Sequence, residues 1–96
     1  MKPNDFLKKG LKMGDKVSLA VQTPSYFREQ KRETVTVFFR GYRILAGGSV
    51  SDGPDTLVPV FVLPKKGDGT MGRLHYYPTF FSGVLWFEHI VSVRRI

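Results

Sequence analysis

Cations interleaved with aromatic rings are the residues of this chain best placed to do recognition chemistry. Tyr26, Phe27, Arg28, Lys31 and Arg32 fall in one stretch without useful periodicity, and Arg40, Tyr42 and Arg43 follow on the next apolar run. Guanidinium and ammonium groups neutralise phosphates, and a ring offers a flat face to an unstacked base. The combination points to RNA or single-stranded DNA. Strand parity sets Arg40 and Tyr42 on one face and Arg43 on the other, unless Gly41 carries a bulge. The same residue types also serve as barrel core and solvated loop. Exposed edges rich in Phe and Tyr would suit a peptide groove, an acidic protein surface or a homo-oligomer seam, which is the second reading.

Reaction chemistry finds little to work with. The chain has no cysteine and two histidines, His75 and His89. A thiol nucleophile is therefore excluded, and a metal would need carboxylate help. Asp15, Asp68 and Glu88 lie far apart in sequence. Glu88-His89 reads as a corner whose polar tips face water rather than as an acid/base dyad. Gly67-Asp68-Gly69 followed by Gly72 is turn chemistry with no helix after it to receive an anion, so a hairpin tip is expected there. The expectation is a binding module, not an enzyme, with no cofactor and no metal.

Charge favours an anionic partner. The net charge is +7, and it is lopsided: residues 1–48 hold ten Lys or Arg against four Asp or Glu, while residues 49–96 hold five against four. Such a basic half suits nucleic acid, an acidic protein face or a phospholipid surface, although it also keeps a small domain in solution. No apolar run approaches the ~20 residues that span a bilayer, and the N-terminal stretch lacks the apolar core of a secretory signal. Cytoplasmic residence is expected; the absence of cysteine permits it.

The elements that must position these residues are mostly strands. Residues 3–12 predict one short helix, capped by Asn4 or Asp5, with Lys8, Lys9 and Lys12 on a solvated face. Met13-Gly14-Asp15-Lys16 turns into a strand over Val17–Val21, where Val17, Leu19 and Val21 alternate with Ser18 and Ala20. Residues 22–33 read as a long mobile loop. Thr34–Leu45 is a strand interrupted at Gly41 by a bulge or sharp bend. Residues 46–55 are a loop. Thr56–Leu63 is a strand whose Pro59 demands an edge or a bulge, residues 64–72 turn, and Arg73–Phe81 is a strand broken near Pro78 and bent at Ser82-Gly83. Val84–Phe87 adds a short strand, Glu88-His89 a tight turn, and the chain closes on a strand with Ile90 and Val93 buried and Trp86 or Phe87 as a core anchor. One domain over 1–96 is expected, all-β: a small, strongly bent antiparallel β-barrel of five or six strands with a short N-terminal helix.

The order of a short helix, Gly14-Asp15-Lys16-Val17 into the first strand, a bent Gly-containing second strand, and Glu88-His89-Ile90-Val91-Ser92-Val93 at the end resembles the small β-barrels of the Sm-like and Src-homology type. That resemblance implies a barrel that binds RNA, DNA or peptides, and for the Sm-like members assembly into rings. Sm-like RNA binders carry Arg-Gly-x-Asn near the last two strands. This chain has Trp86-Phe87-Glu88-His89 there, so that family's uridine-binding residues are not carried over. Arg28-Glu29-Gln30-Lys31-Arg32 also matches the Arg-x-x-x-Arg of PilZ barrels, which bind cyclic dinucleotides. The second PilZ motif has no counterpart in Gly47-Gly48-Ser49-Val50-Ser51-Asp52, so this is a remote alternative.

Overall fold

In the computed structural model, which describes residues 1–45, 56–80 and 84–96, five antiparallel strands and one short helix account for the regular structure. Helix α1 is Pro3–Leu7, and the strands are β1 (Lys16–Gln22), β2 (Arg32–Leu45), β3 (Thr56–Pro64), β4 (Met71–His75) and β5 (Ile90–Arg95). They form one sheet in the order β4-β3-β2-β1-β5. Among the described residues hydrogen bonds do not close the sheet on itself, so β4 and β5 are its two edges. The expected loop at 46–55 and bend at Ser82-Gly83 lie outside the described residues.

Alternation explains the central strands. Val17, Leu19 and Val21 of β1 and Val37 and Phe39 of β2 point into a common core with Phe61, Phe87, Ile90 and Val93. Residues between them, such as Ser18 and Thr36, are set opposite each other on the outer face. Burial of each large core side chain contributes about 1.5–3 kcal/mol.

Strand β2 serves two partners. It pairs with β1 from Arg32 to Phe38 and with β3 from Phe38 to Leu45. The register shifts by one residue between Phe39 and Tyr42, where Gly41 has φ +87°. This is the bulge expected at Gly41, and glycine reaches that φ without the Cβ clash that other residues meet. Pro59 obeys its own constraint: β4 pairs with β3 only from Val62 onward, so among the described residues no strand pairs with Pro59 on that side of β3.

Several expectations are corrected. The helix stops at Leu7 rather than residue 12, because the chain turns at Gly10 with φ +64°. Lys2 occupies its N-cap without a side-chain bond, so neither Asn4 nor Asp5 caps it. What holds α1 is Phe6, fully buried, with ring centroids 5.2 Å from Phe87, 5.9 Å from Phe39 and 6.1 Å from Phe61. Strand β4 ends at His75, and Tyr76 enters the core from irregular chain instead. Residues 84–86 form no strand; they lead into a 3₁₀ turn, Phe87–His89. Phe87 is the core anchor, whereas Trp86 is only half-buried.

His89 is also corrected. It is 1% exposed rather than facing water, and its Nδ1 accepts a bond from the Trp86 amide. Burial holds its imidazole below the usual value, with the Glu88 charge opposing. Glu88 alone points outward. Ile90 and Val93 are both buried although they differ in parity, because the β1–β5 register slips between Ala20 and Val21.

Candidate nucleic-acid interface

The residues singled out in the sequence separate into two groups at opposite ends of β2. Tyr26, Phe27, Arg28 and Lys31 lie in the β1–β2 loop, next to Arg32 at the start of β2. Arg40, Tyr42 and Arg43 flank the Gly41 bulge, with Arg32 and Arg40 eight residues, or about 26 Å, apart along the strand.

The loop is not the open span expected. Thr23 and Lys31 exchange bonds: the Thr23 amide donates to the Lys31 carbonyl at 2.9 Å, and the Lys31 amide donates to Thr23 Oγ1 at 2.9 Å. The Gln30 side-chain amide donates to the carbonyls of Phe27 and Pro24 at 2.8 and 3.1 Å. These bonds satisfy backbone groups that would otherwise need water, and they fix the loop's shape. Tyr26 stands out at 73% exposure, its ring 5.2 Å from that of Phe27 and its hydroxyl donating to Glu88 at 3.4 Å. Arg28 is exposed, and Lys31 lies 3.8 Å from Glu29 in a solvent-facing ion pair worth little.

The bulge reassigns the second group. Because it inserts one residue, Tyr42 falls on the same side as Phe39, and their rings lie 5.2 Å apart. Phe6 at 6.1 Å and Phe87 at 6.5 Å complete the surround, and burial raises the Tyr42 hydroxyl above its ordinary value. Tyr42 therefore serves the edge of the core, with one side at the surface. Arg40 and Arg43 are left together on the outer side. Arg43 also lines a narrow crevice with Pro59, His75 and Tyr77.

Between the two groups runs a surface that sequence reasoning did not assemble. The outer rows of β5, β1 and β2 contain Ser92 and Arg94; Lys16, Ser18, Ala20 and Gln22; and Arg32, Thr34, Thr36, Phe38 and Arg40. Register sets Arg94 against Ser18, Ser18 against Thr36, Lys16 against Phe38, and Gln22 against Arg32. No acidic residue occurs in these rows. Glu33, the one acid of β2, is turned to the other side, where it accepts from Tyr76 and Thr79. The outcome is a strip of Ser and Thr side chains, interrupted by the buried Ala20 and Phe38 and bordered by Lys16, Arg32, Arg40 and Arg94. Lys16 was hidden because its significance depends on which strand neighbours which; Arg94 and Arg95 read from the sequence as additions to the basic surface, and of the two only Arg94 lies in this row.

Arg95 belongs to the opposite row. Its Nε donates to Asp15 at 2.9 Å and its Nη2 donates to the Gly10 carbonyl, so it clasps the turn before β1. Among the described residues no cluster of three or more His, Asp or Glu side chains could hold a metal, and no helix is long and apolar enough to cross a membrane. Comparison with known protein families, with curated proteins and with solved structures finds no match to this chain.

Proposed function

We propose that this chain is a non-catalytic binding module whose ligand is a single-stranded nucleic acid, RNA or DNA. The observation that carries the reading is the acid-free outer face of β5, β1 and β2, with cations at both ends and small hydroxyl residues between them. Phosphates would follow Arg32, Arg94, Lys16 and Arg40, while Ser18, Thr34 and Thr36 donate hydrogen bonds to phosphate oxygens. Tyr26, with Phe27 beneath it, provides the ring on which a base rests at the loop end of the track. Arg28 and Arg43 extend the positive field at either end.

The strand order with a 3₁₀ turn before the last strand supports reading the sheet as a small bent barrel of the Sm-like or Src-homology kind. Fold by itself assigns no ligand, and the charge distribution carries the argument. The competing reading is self-assembly, favoured by the two edge strands, each of which has no strand partner on one side among the described residues.

Purification without nuclease, followed by the 260/280 nm absorbance ratio and titration with labelled oligonucleotides at low salt, tests the proposal. Co-purifying nucleic acid and salt-sensitive retention are expected. A clean protein that ignores oligonucleotides, with a mass that rises with concentration, would instead establish the self-assembling barrel.

A further inference from the structure

The β3–β4 hairpin holds a second concentration of positive charge, separate from the sheet face above. Its turn is closed by the Lys65 amide donating to the Thr70 carbonyl at 2.7 Å. The Asp68 carboxylate accepts from the Thr70 amide at 2.9 Å and from the Thr70 hydroxyl at 2.7 Å, and these bonds hold its carboxyl below the ordinary value. Asp68, the hairpin's one acid, is thus engaged inside the turn. Lys65, Lys66 and Arg73 are exposed and form no ion pair among the described residues.

These cations share a groove of about 630 Å³ with Leu63, Pro64, Gly72 and Leu74. Leu74 is 71% exposed, an unusual position for a leucine on a strand. Gly72 is buried, and a Cβ there would lie 2.5 Å from the Leu63 carbonyl oxygen, so β4 crosses the end of β3 more closely than any side chain allows. The groove is therefore built by backbone contact. It is bounded on its open side by β4, whose only strand neighbour among the described residues is β3.

We propose that this groove docks a short, extended, acidic peptide segment of a partner protein. Carboxylates would meet Lys65, Lys66 and Arg73, while an alternate apolar side chain rests on Leu63 and Leu74. A nucleic acid fits less well, because no aromatic ring lines the groove to stack a base. A second copy of the chain fits less well too. The other free edge, β5, ends in Arg94 and Arg95 and carries no acid, so edge-to-edge pairing would oppose like charges. Charge complementarity selects the acidic peptide.

The test is fluorescence anisotropy with the full chain and a labelled hexapeptide of alternating Glu and Val, against its Gln/Val counterpart. The Glu peptide is expected to bind at least about tenfold more tightly. Lys65→Glu/Lys66→Glu/Arg73→Glu should abolish binding. Lys8→Glu/Lys9→Glu/Lys12→Glu, which changes the net charge equally, should retain it; circular dichroism confirms that both variants fold. In ¹⁵N spectra the peptide should shift the amides of Lys65, Lys66 and residues 72–74. Equal binding of both peptides, equal loss in the two triple variants, or shifts confined to the outer face of β1 and β2 would overturn the proposal. So would displacement of the peptide from the hairpin by an equimolar single-stranded oligonucleotide. Arg32→Ala/Arg40→Ala separates this from the sheet-face reading: it should lose the oligonucleotide and keep the peptide.

Discussion

The Tyr76 hydroxyl donates a 2.7 Å hydrogen bond to Oε1 of Glu33, tying the chain after β4 to the first residues of β2. Burial, and then the Glu33 hydrogen bond and charge, push the Tyr76 hydroxyl above the ordinary phenol value, favouring its protonated, donating form. The Thr79 amide donates to the same carboxylate oxygen at 2.8 Å, and the Thr79 hydroxyl reaches the other at 3.3 Å. Glu33 is thus a structural receptor, which is why the outer face of β2 is free of negative charge.

Tyr76→Phe is expected to destabilise the protein by about 1–2 kcal/mol, since Glu33 keeps its Thr79 donors. Glu33→Ala should cost about 2–3 kcal/mol, because the buried hydroxyl then has no acceptor. Urea unfolding with an unchanged slope measures both. Equal stability in all three proteins would show that the bond contributes nothing.

Phe6→Ala should cost about 3–5 kcal/mol, because it empties the space between Phe39, Phe61 and Phe87. Phe6→Leu should cost clearly less. A loss below 1 kcal/mol for the alanine variant, roughly the value of a surface change, would mean that α1 is not held by its ring.

Acid should act in two steps. Burial lowers His89 below 6.5, so the unfolded chain takes the proton first and stability falls as the pH drops below 6.5. Asp15 is lowered below 3.8, chiefly by the Lys12 amide and then by Arg95. Its contribution is full above 3.8 and disappears as pH falls through the lower folded value. Thermal midpoints against pH should lose the first step in His89→Gln and shrink the second in Asp15→Asn. A curve that stays flat until pH 4 in the parent protein would contradict the buried, neutral His89.

If phosphates follow the outer face, the logarithm of oligonucleotide affinity should fall linearly with the logarithm of salt concentration. Each of Lys16→Ala, Arg32→Ala, Arg40→Ala and Arg94→Ala should reduce that slope by about 0.7. Tyr26→Ala should weaken binding by about 1–3 kcal/mol and leave the slope alone. Slopes identical to that of the parent chain would rule out this face as the phosphate track.

Much of the fold was legible from local sequence: β1 and the first half of β2 announce themselves by period-2 alternation, β3 and β5 as short apolar runs bounded by turns, and Gly41 and Pro59 mark irregularities that backbone chemistry requires. Val84–Phe87 misled, since an apolar run reads alike whether it pairs as a strand or enters the core as irregular chain. Residues 22–33 misled for the opposite reason. Their polar side chains bond their own backbone, a contact that composition does not reveal. Tyr26 through Arg43 contained the right residue types, yet adjacency in sequence suggested one patch where the structure has two. Their connection through Lys16 and Arg94 requires knowing that β1 lies between β2 and β5.

The Gly41 bulge sets the phase of everything after it. Upstream of Gly41 the in-and-out alternation of β2 is locked to β1, and downstream it is locked to β3, one residue out of step. Deleting this single glycine would remove the extra residue and leave Tyr42 two places from Phe39, still on its side. Flattening the bulge with the residue count unchanged would instead exchange the roles of neighbours: Tyr42 would swing outward as Arg43 turned toward Phe39. The separation of rings from charges along this strand is thus a counting device, set by one residue that has no side chain.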